Sequence, residues 1–189
     1  MHDIEPFYGW EKYYQTYKDP ASPFFGRQPS GGFYSNTVYN YYIHPDWDEI
    51  GSPTLYLKLL FAEYQAGFAV MEFIGEWNDI LHNDIMYLSR YVVDPLLNEG
   101  ITRFALIGEN LMNFHSGDDD YYQEWNENIE NGWIACINFR EHVKQEIEQA
   151  NLDYYLILGG KLNEVKWRTL NPAQLLLHLE NIVSRRLPA

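Results

Sequence analysis

The chain has 189 residues, 46% of them hydrophobic, and carries 27 Asp and Glu against 13 Lys and Arg, a formal net charge of −14. That length fits one domain with an elaborated end, and the apolar content is high enough to bury a core, which excludes a disordered chain. The charge repels phosphate backbones and anionic lipid surfaces, so neither nucleic acid nor a membrane is an expected partner.

Residues 1–53 read as an aromatic-rich arm packed on the domain that follows. Fourteen of the 32 aromatic residues fall in the first 50 positions, from Phe7 to Trp47, interrupted by Gly and Pro and accompanied by few aliphatics. A short helix over 9–17 and an extended piece over 33–43 are expected there. Exposing all those rings would leave a sticky patch, so they are expected to lie on the main domain, with sugar or peptide binding on residues 7–47 as the alternative. The stretch His44-Pro45-Asp46-Trp47-Asp48-Glu49 reads as a polar turn with an aromatic anchor.

From residue 54 the pattern becomes regular. Residues 54–61 and 68–74 are rich in aliphatic and aromatic side chains and are separated by Tyr64-Gln65-Ala66-Gly67, which predicts a hairpin ending at Gly75. A helix follows over 79–98, with Leu81, Ile85, Leu88, Val92 and Leu96 on one face, Pro95 near its end and Gly100 as its stop. Asn78, Asp79, His82 and Asp84 read as its caps and first-turn charges. Residues 103–108 form a short buried strand, 118–131 a polar helix and 133–138 another buried strand. Asn138-Phe139-Arg140-Glu141 has the form of a capping box opening a helix that turns Val143 and Ile147 inward. Residues 153–158 are expected as a last strand, stopped by Gly159-Gly160. Asn171-Pro172 opens a final helix carrying Leu175, Leu179 and Ile182, with Arg185 and Arg186 at its negative end.

The order β-β-α-β-α-β-α-β-α predicts an α/β fold with a mixed, mostly parallel sheet and flanking helices over residues 54–189. This order resembles the STAS domain of bacterial anti-sigma-factor antagonists over about 54–187. Phe73-Ile74-Gly75-Glu76-Trp77 is similar to that family's strand before its first helix, and Phe104 to Leu111 to its next strand and turn. Phe114-His115-Ser116-Gly117 occupies the place of the family's Asp-Ser-Ser/Thr-Gly segment, which puts Ser116 at its phosphorylated serine. His115 stands where the family has Asp, and Asp118-Asp119-Asp120 follow where it has small apolar residues. The resemblance implies a cytoplasmic regulatory module that meets a protein partner. The whole chain, arm included, also looks like a group of Bacteroidetes-type proteins with no assigned activity.

Chemistry-bearing residues concentrate in 109–130. Glu109, Asp118, Asp119, Asp120, Glu124, Glu127 and Glu130 lie there, and no Lys or Arg occurs from Phe104 to Phe139. Asp118 to Asp120 suit the positive end of the helix that follows. Asp118 and Asp120, with Glu109, are weak candidates for a hard-cation site, although the spacing lacks the EF-hand form. Ser116, His115 and Asp118 are a poor nucleophile set, because adjacent residues seldom align and no G-x-S-x-G elbow exists. Neither Gly108-Glu109-Asn110 nor Gly159-Gly160-Lys161 makes a phosphate loop.

The lone Cys136 lies in an apolar run and reads as a buried structural residue, as in a cytoplasmic protein. The acidic start Met1 to Glu5 does not resemble a signal peptide, and no apolar run is long enough to cross a membrane. The sequence thus predicts a non-enzymatic, cofactor-free interaction module. Its partner surface would include Glu109, His115, Ser116 and Asp118 to Asp120, and the sheet edge of the opening hairpin could form a homodimer. The alternative is a ligand-binding or divalent-metal-dependent enzyme around Glu109, His115, Asp118 and Asp120.

Overall fold

The structure, a computed structural model, describes residues 2–28 and 36–186. Positions 33–35 of the extended piece expected over 33–43 lie outside the described residues. The rest of that piece contributes strands β2 (Thr37–Val38) and β3 (Tyr41–Ile43), which join β1 (His2–Ile4) in a small sheet of order β1-β3-β2. The expected helix over 9–17 is instead a set of turns, closed by Glu11 N–H on Tyr8 O and by Tyr13 and Tyr14 N–H on Trp10 O, followed by a 3-10 turn at Thr16–Lys18. Gly9 and the aromatic residues crowding this stretch are poor helix formers.

The main sheet has the order β4-β5-β6-β7-β8: β4 (Asp48–Glu49), β5 (Leu55–Glu63), β6 (Phe68–Asn78), β7 (Arg103–His115) and β8 (Trp133–Ile137). β5 and β6 form the predicted antiparallel hairpin, β4 pairs antiparallel with β5, and β6-β7 and β7-β8 are parallel. The sheet is therefore mixed, as expected. Its edge strand β4 arises within residues 1–53 and covers part of the hairpin edge that the sequence leaves open to a second copy.

β6 does not end at Gly75. That glycine sits inside the strand at φ +108, and a Cβ there would lie 2.0 Å from the Thr54 carbonyl oxygen, so it serves close backbone approach rather than termination. β7 likewise continues seven residues past Gly108. Register shifts between Glu72 and Ile74 and between Gly75 and Glu76 let the two strands stay paired as far as Asn78 and His115.

The predicted helix 79–98 is broken into α1 (Asp79–His82), α2 (Asp84–Leu88), a wider π-type segment (Ser89–Val93) and α3 (Asp94–Asn98). Asn83 is left-handed at φ 53, which takes Leu81 off the apolar face and leaves it 73% exposed, while Ile85, Leu88, Val92 and Leu96 are buried. The wide segment lies just before Pro95, whose ring cannot donate a hydrogen bond and crowds the carbonyl four residues back. α4 (Asp120–Glu127) is shorter than expected.

The Asn138 capping box is not formed. Asn138 is itself left-handed, and its side chain serves Glu109 and Val165, so α5 (Glu141–Gln149) starts at Arg140 without a side-chain cap. The expected strand 153–158 is a 3-10 turn (Leu152–Tyr154) followed by a single parallel bridge between Ile157 and Ala135. Left-handed Asn151 and 84%-exposed Tyr154 set that segment outside the sheet. α6 (Pro172–Val183) begins at Asn171 as predicted, with a complete capping box to Gln174. Arg186 reaches the Leu158 and Gly159 carbonyls rather than the end of its own helix.

The sheet is covered on both faces. Leu57, Met71, Phe73, Phe104 and Leu106 pack on one side against Ile85, Leu88, Val92, Leu96, Trp125, Val143 and Ile147. On the other side lie two separate apolar clusters. One joins Leu60, Val70, Ile107 and Ala135 to Trp10, Trp167, Leu175 and Leu179; the other joins Tyr56 and Ile74 to Val38, Ile43 and Trp47. Each such buried side chain contributes about 1.5–3 kcal/mol. Cys136 is buried in the first layer, where desolvation raises its thiol well above the usual range. Among the described residues, no helix is long and apolar enough to cross a membrane.

Candidate functional site

Among the described residues, buried polar side chains gather at two places. The first is the rim where β6 and β7 end. Asn78 faces His115 across these parallel strands, and its side chain caps α1 by accepting from Leu81 N–H at 3.0 Å. The turn after β7 leans on α1: a Cβ on Gly117 would sit 3.2 Å from that of Asp79.

Beneath this turn Asp79 is buried. It accepts from Tyr122 Oη at 2.6 Å, Trp77 Nε1 at 2.9 Å and Ile85 N–H at 2.8 Å. Burial raises its carboxyl to about 6 despite these donors, and neighbouring Asp84 adds to the rise. Asp84 is also buried; it accepts from Asn78 N–H at 2.7 Å, and its carboxyl too is raised by burial. Asp79 and Asp84 are therefore more than first-turn charges: they anchor the rim from inside.

Above them the rim is open. Ile80 and Leu81 are 68% and 73% exposed, and Asp118, Asp119 and Asp120 are exposed. Asp119 sits at the start of α4 without making a side-chain cap; its carboxylate instead accepts from Tyr155 Oη at 2.8 Å. Of the other acids of this segment, Glu124 pairs with Arg90, which also holds Asp94, and Glu127 accepts from Gln123.

Glu109 does not belong with this group. It lies on the opposite face of the sheet, where it accepts from Asn138 Nδ2 at 2.7 Å, Trp167 Nε1 at 2.9 Å and an Arg168 guanidinium nitrogen at 2.5 Å. Burial opposes its charge, but these three donors more than offset it and lower its carboxyl. The sequence grouping of Glu109 with Asp118 to Asp120 is thus split by the sheet, whereas His115, next to the core-facing Phe114, points to the Glu109 face and lies near Glu76. Among the described residues, no group of three or more His, Cys, Asp and Glu is placed to hold a metal ion, and Asp118 and Asp120 belong to none.

The second place, centred on Glu109, is a row of charges across the sheet that separates the two apolar clusters of that face. Along β6 the side chains Val70, Glu72 and Ile74 point the same way, with Val70 in one cluster and Ile74 in the other. Lys58 is the cross-strand partner of Glu72 on β5. Asp48 of β4 lies 3.4 Å beyond Lys58, and Arg168 joins Glu72 at 3.5 Å to Glu109 at 2.5 Å.

Glu72 is 1% exposed and accepts the Phe7 N–H at 2.9 Å. Burial raises its carboxyl to about 7; the Phe7 bond and Arg168 pull it down, and Glu109 pushes it up. Sequence reading missed this row. The available signal was that Lys58 and Glu72 are the one charge in each of the apolar runs 54–61 and 68–74. Beside it, a cleft of about 660 Å³ is lined by Arg27, Trp47, Asp48, Lys58 and Tyr91, among others, and includes no residue of the rim.

No family model matches the chain, and no curated protein matches it. Among solved structures it is similar to the anti-sigma factor antagonist SpoIIAA in its unphosphorylated form. The two share 11% identity over 71% of this chain and 99% of that one, with a TM-score of 0.42. Nothing in these comparisons supports a likeness of the whole chain to a Bacteroidetes-type group.

Proposed function

We propose that this chain is a non-enzymatic protein-interaction module that binds its partner at the rim formed by α1 and the turn after β7. The observation that carries this reading is the pair Ile80 and Leu81, two aliphatic side chains about 70% exposed beside a turn bearing three exposed carboxylates. An apolar centre with a charged border is the make-up of a specific protein contact. The partner surface then includes His115, Ser116, Asp118, Asp119 and Asp120, and Glu109 drops out of it. Its partner would present an aliphatic residue flanked by Lys or Arg, and the encounter would weaken with salt.

In this reading residues 1–53 are an arm packed on the domain 54–189, the protein works in the cytoplasm, and a homodimer is one form the contact can take. A charge of −14 keeps it off nucleic acids and anionic membranes. The test is capture by the immobilised chain at low and high salt, with sedimentation for the homodimer. The wild type should retain one defined partner at low salt and lose it at high salt, and Ile80→Asp with Leu81→Asp should abolish retention. Equal capture by the double variant, or no partner at low salt and a monomer in sedimentation, would contradict the proposal.

A further inference from the structure

The row of charges beside Glu72 lies under a short piece of the N-terminal arm. Ile4 packs with the cluster of Tyr56 and Ile74, Trp10 with the cluster of Val70 and Leu175, and Phe7 crosses the boundary between them. Both ends of this crossing are fixed. β1 pairs with β3, Trp47 Nε1 donates to Ile4 O at 2.7 Å, and Trp10 Nε1 donates to Leu170 O at 2.9 Å. In the middle Pro6 is buried, and the flanking residues are held by fewer bonds. Tyr8 Oη donates to Asp46 at 2.7 Å on the exposed side, the Phe7 ring leans edge-on against Trp167 at 4.9 Å, and the Phe7 N–H meets Glu72. Glu5, Tyr8 and Gly9 are exposed.

Glu72 is poorly provided for as an anion. Its cross-strand neighbour Lys58 is 3.4 Å from Asp48, and Arg168 reaches it at 3.5 Å while bonding Glu109 at 2.5 Å. Glu109 on β7 adds a like charge, and the strap gives one N–H; its own charged residue Glu5 lies 3.9 Å from His44. A carboxylate with so little compensation gains from water, whereas a protonated carboxyl does not.

We propose that residues 5–9 are a proton-controlled strap, closed over Glu72 while that side chain carries its proton and released when it ionises, exposing the Glu72, Glu109 and Arg168 row. The rise of the Glu72 carboxyl from 4.5 to about 7 under the strap agrees with this. The sign follows from linkage: the closed form binds the proton more tightly, so opening increases with pH. It climbs by about tenfold per pH unit from roughly pH 5 and levels off above about pH 7, where both forms are ionised. This inference does not depend on the rim.

Hydrogen exchange of the full chain between pH 5 and 8.5, corrected for the intrinsic pH dependence of amide exchange, tests it. In the wild type, protection of the amides of Glu5 and of Phe7 to Trp10 should fall with pH and reach a plateau near pH 7, with the sheet unaffected. In Glu72→Gln, which keeps an acceptor for the Phe7 N–H, protection should be independent of pH. In Arg168→Gln, whose native side chain is 44% exposed, the plateau should begin at higher pH, because a cation that favours the ionised form is gone. An unchanged pH profile in Glu72→Gln, or pH-independent protection in the wild type, would overturn the strap. Should Glu72→Gln fail to fold by circular dichroism, an Arg168→Gln plateau that stays in place or moves down overturns it equally.

Discussion

At the residue scale the position of Gly75 is the sharpest constraint. Its φ of +108 and the Thr54 oxygen 2.0 Å from where a Cβ would stand leave an alanine no room without backbone movement. Gly75→Ala should lower stability by about 2–4 kcal/mol in urea unfolding, the range of strained or overpacked sites; a loss below about 0.5 kcal/mol would show that the strand pair slides freely there. The same residue shows where sequence reading reached its limit. A glycine after an apolar run reads as a stop, and nothing local distinguishes a stop from a place where a neighbouring backbone passes close by. Asn138 is a similar case. Its spacing to Glu141 suggests a cap, yet its amide is used across the fold, on Glu109 and Val165, which are distant in sequence.

At the element scale the strands and helices with strong patterns were legible: the hairpin of β5 and β6, the start of β7, β8, and α6 with its Asn171-Pro172 opening. Asn171→Ala removes one half of a complete capping box and should cost about 1 kcal/mol, read as a lowered midpoint of thermal unfolding; an unchanged midpoint would mean the α6 start is held by packing alone. The helix over 79–98 was legible in its buried face but not in its breaks. Asn83 and Pro95 act through backbone geometry, and the left-handed turn at Asn83 frees Leu81, which periodicity had assigned to the core. The exposed rim therefore rests on a departure from pattern. The expected strand 153–158 shrank for the reverse reason: Ile157 alone pairs with β8, while Leu156 and Leu158 pack under the sheet edge.

At the scale of the whole molecule, buried carboxyls with raised folded values, Glu72 and Asp79 with Asp84 and Asp48 in the same sense, set a pH dependence that runs against that of an ordinary acidic protein. Glu72 and Asp79 have raised folded values, about 7 and about 6. The stability linked to them is full below their unfolded values near 4 and is lost as pH rises through the folded ones, roughly 3 kcal/mol each. Glu109 and Glu76 are lowered and act in the opposite sense, losing their contribution as pH falls. Urea unfolding of Glu72→Gln should therefore fall off less between pH 5 and 7.5 than unfolding of the wild type; parallel curves would mean the Glu72 carboxyl is ionised throughout.

The charge of −14 was readable from composition, but its arrangement was not: one part lies buried across a sheet face and another lies open at the rim. The functional account rests on the open part. Hydrogen exchange of the chain, alone and bound to its captured partner, tests that account most directly. Protection should appear at residues 80–82 and 115–120 and leave α6 unchanged, whereas protection confined to the opposite face of the sheet, or to α6, would contradict it.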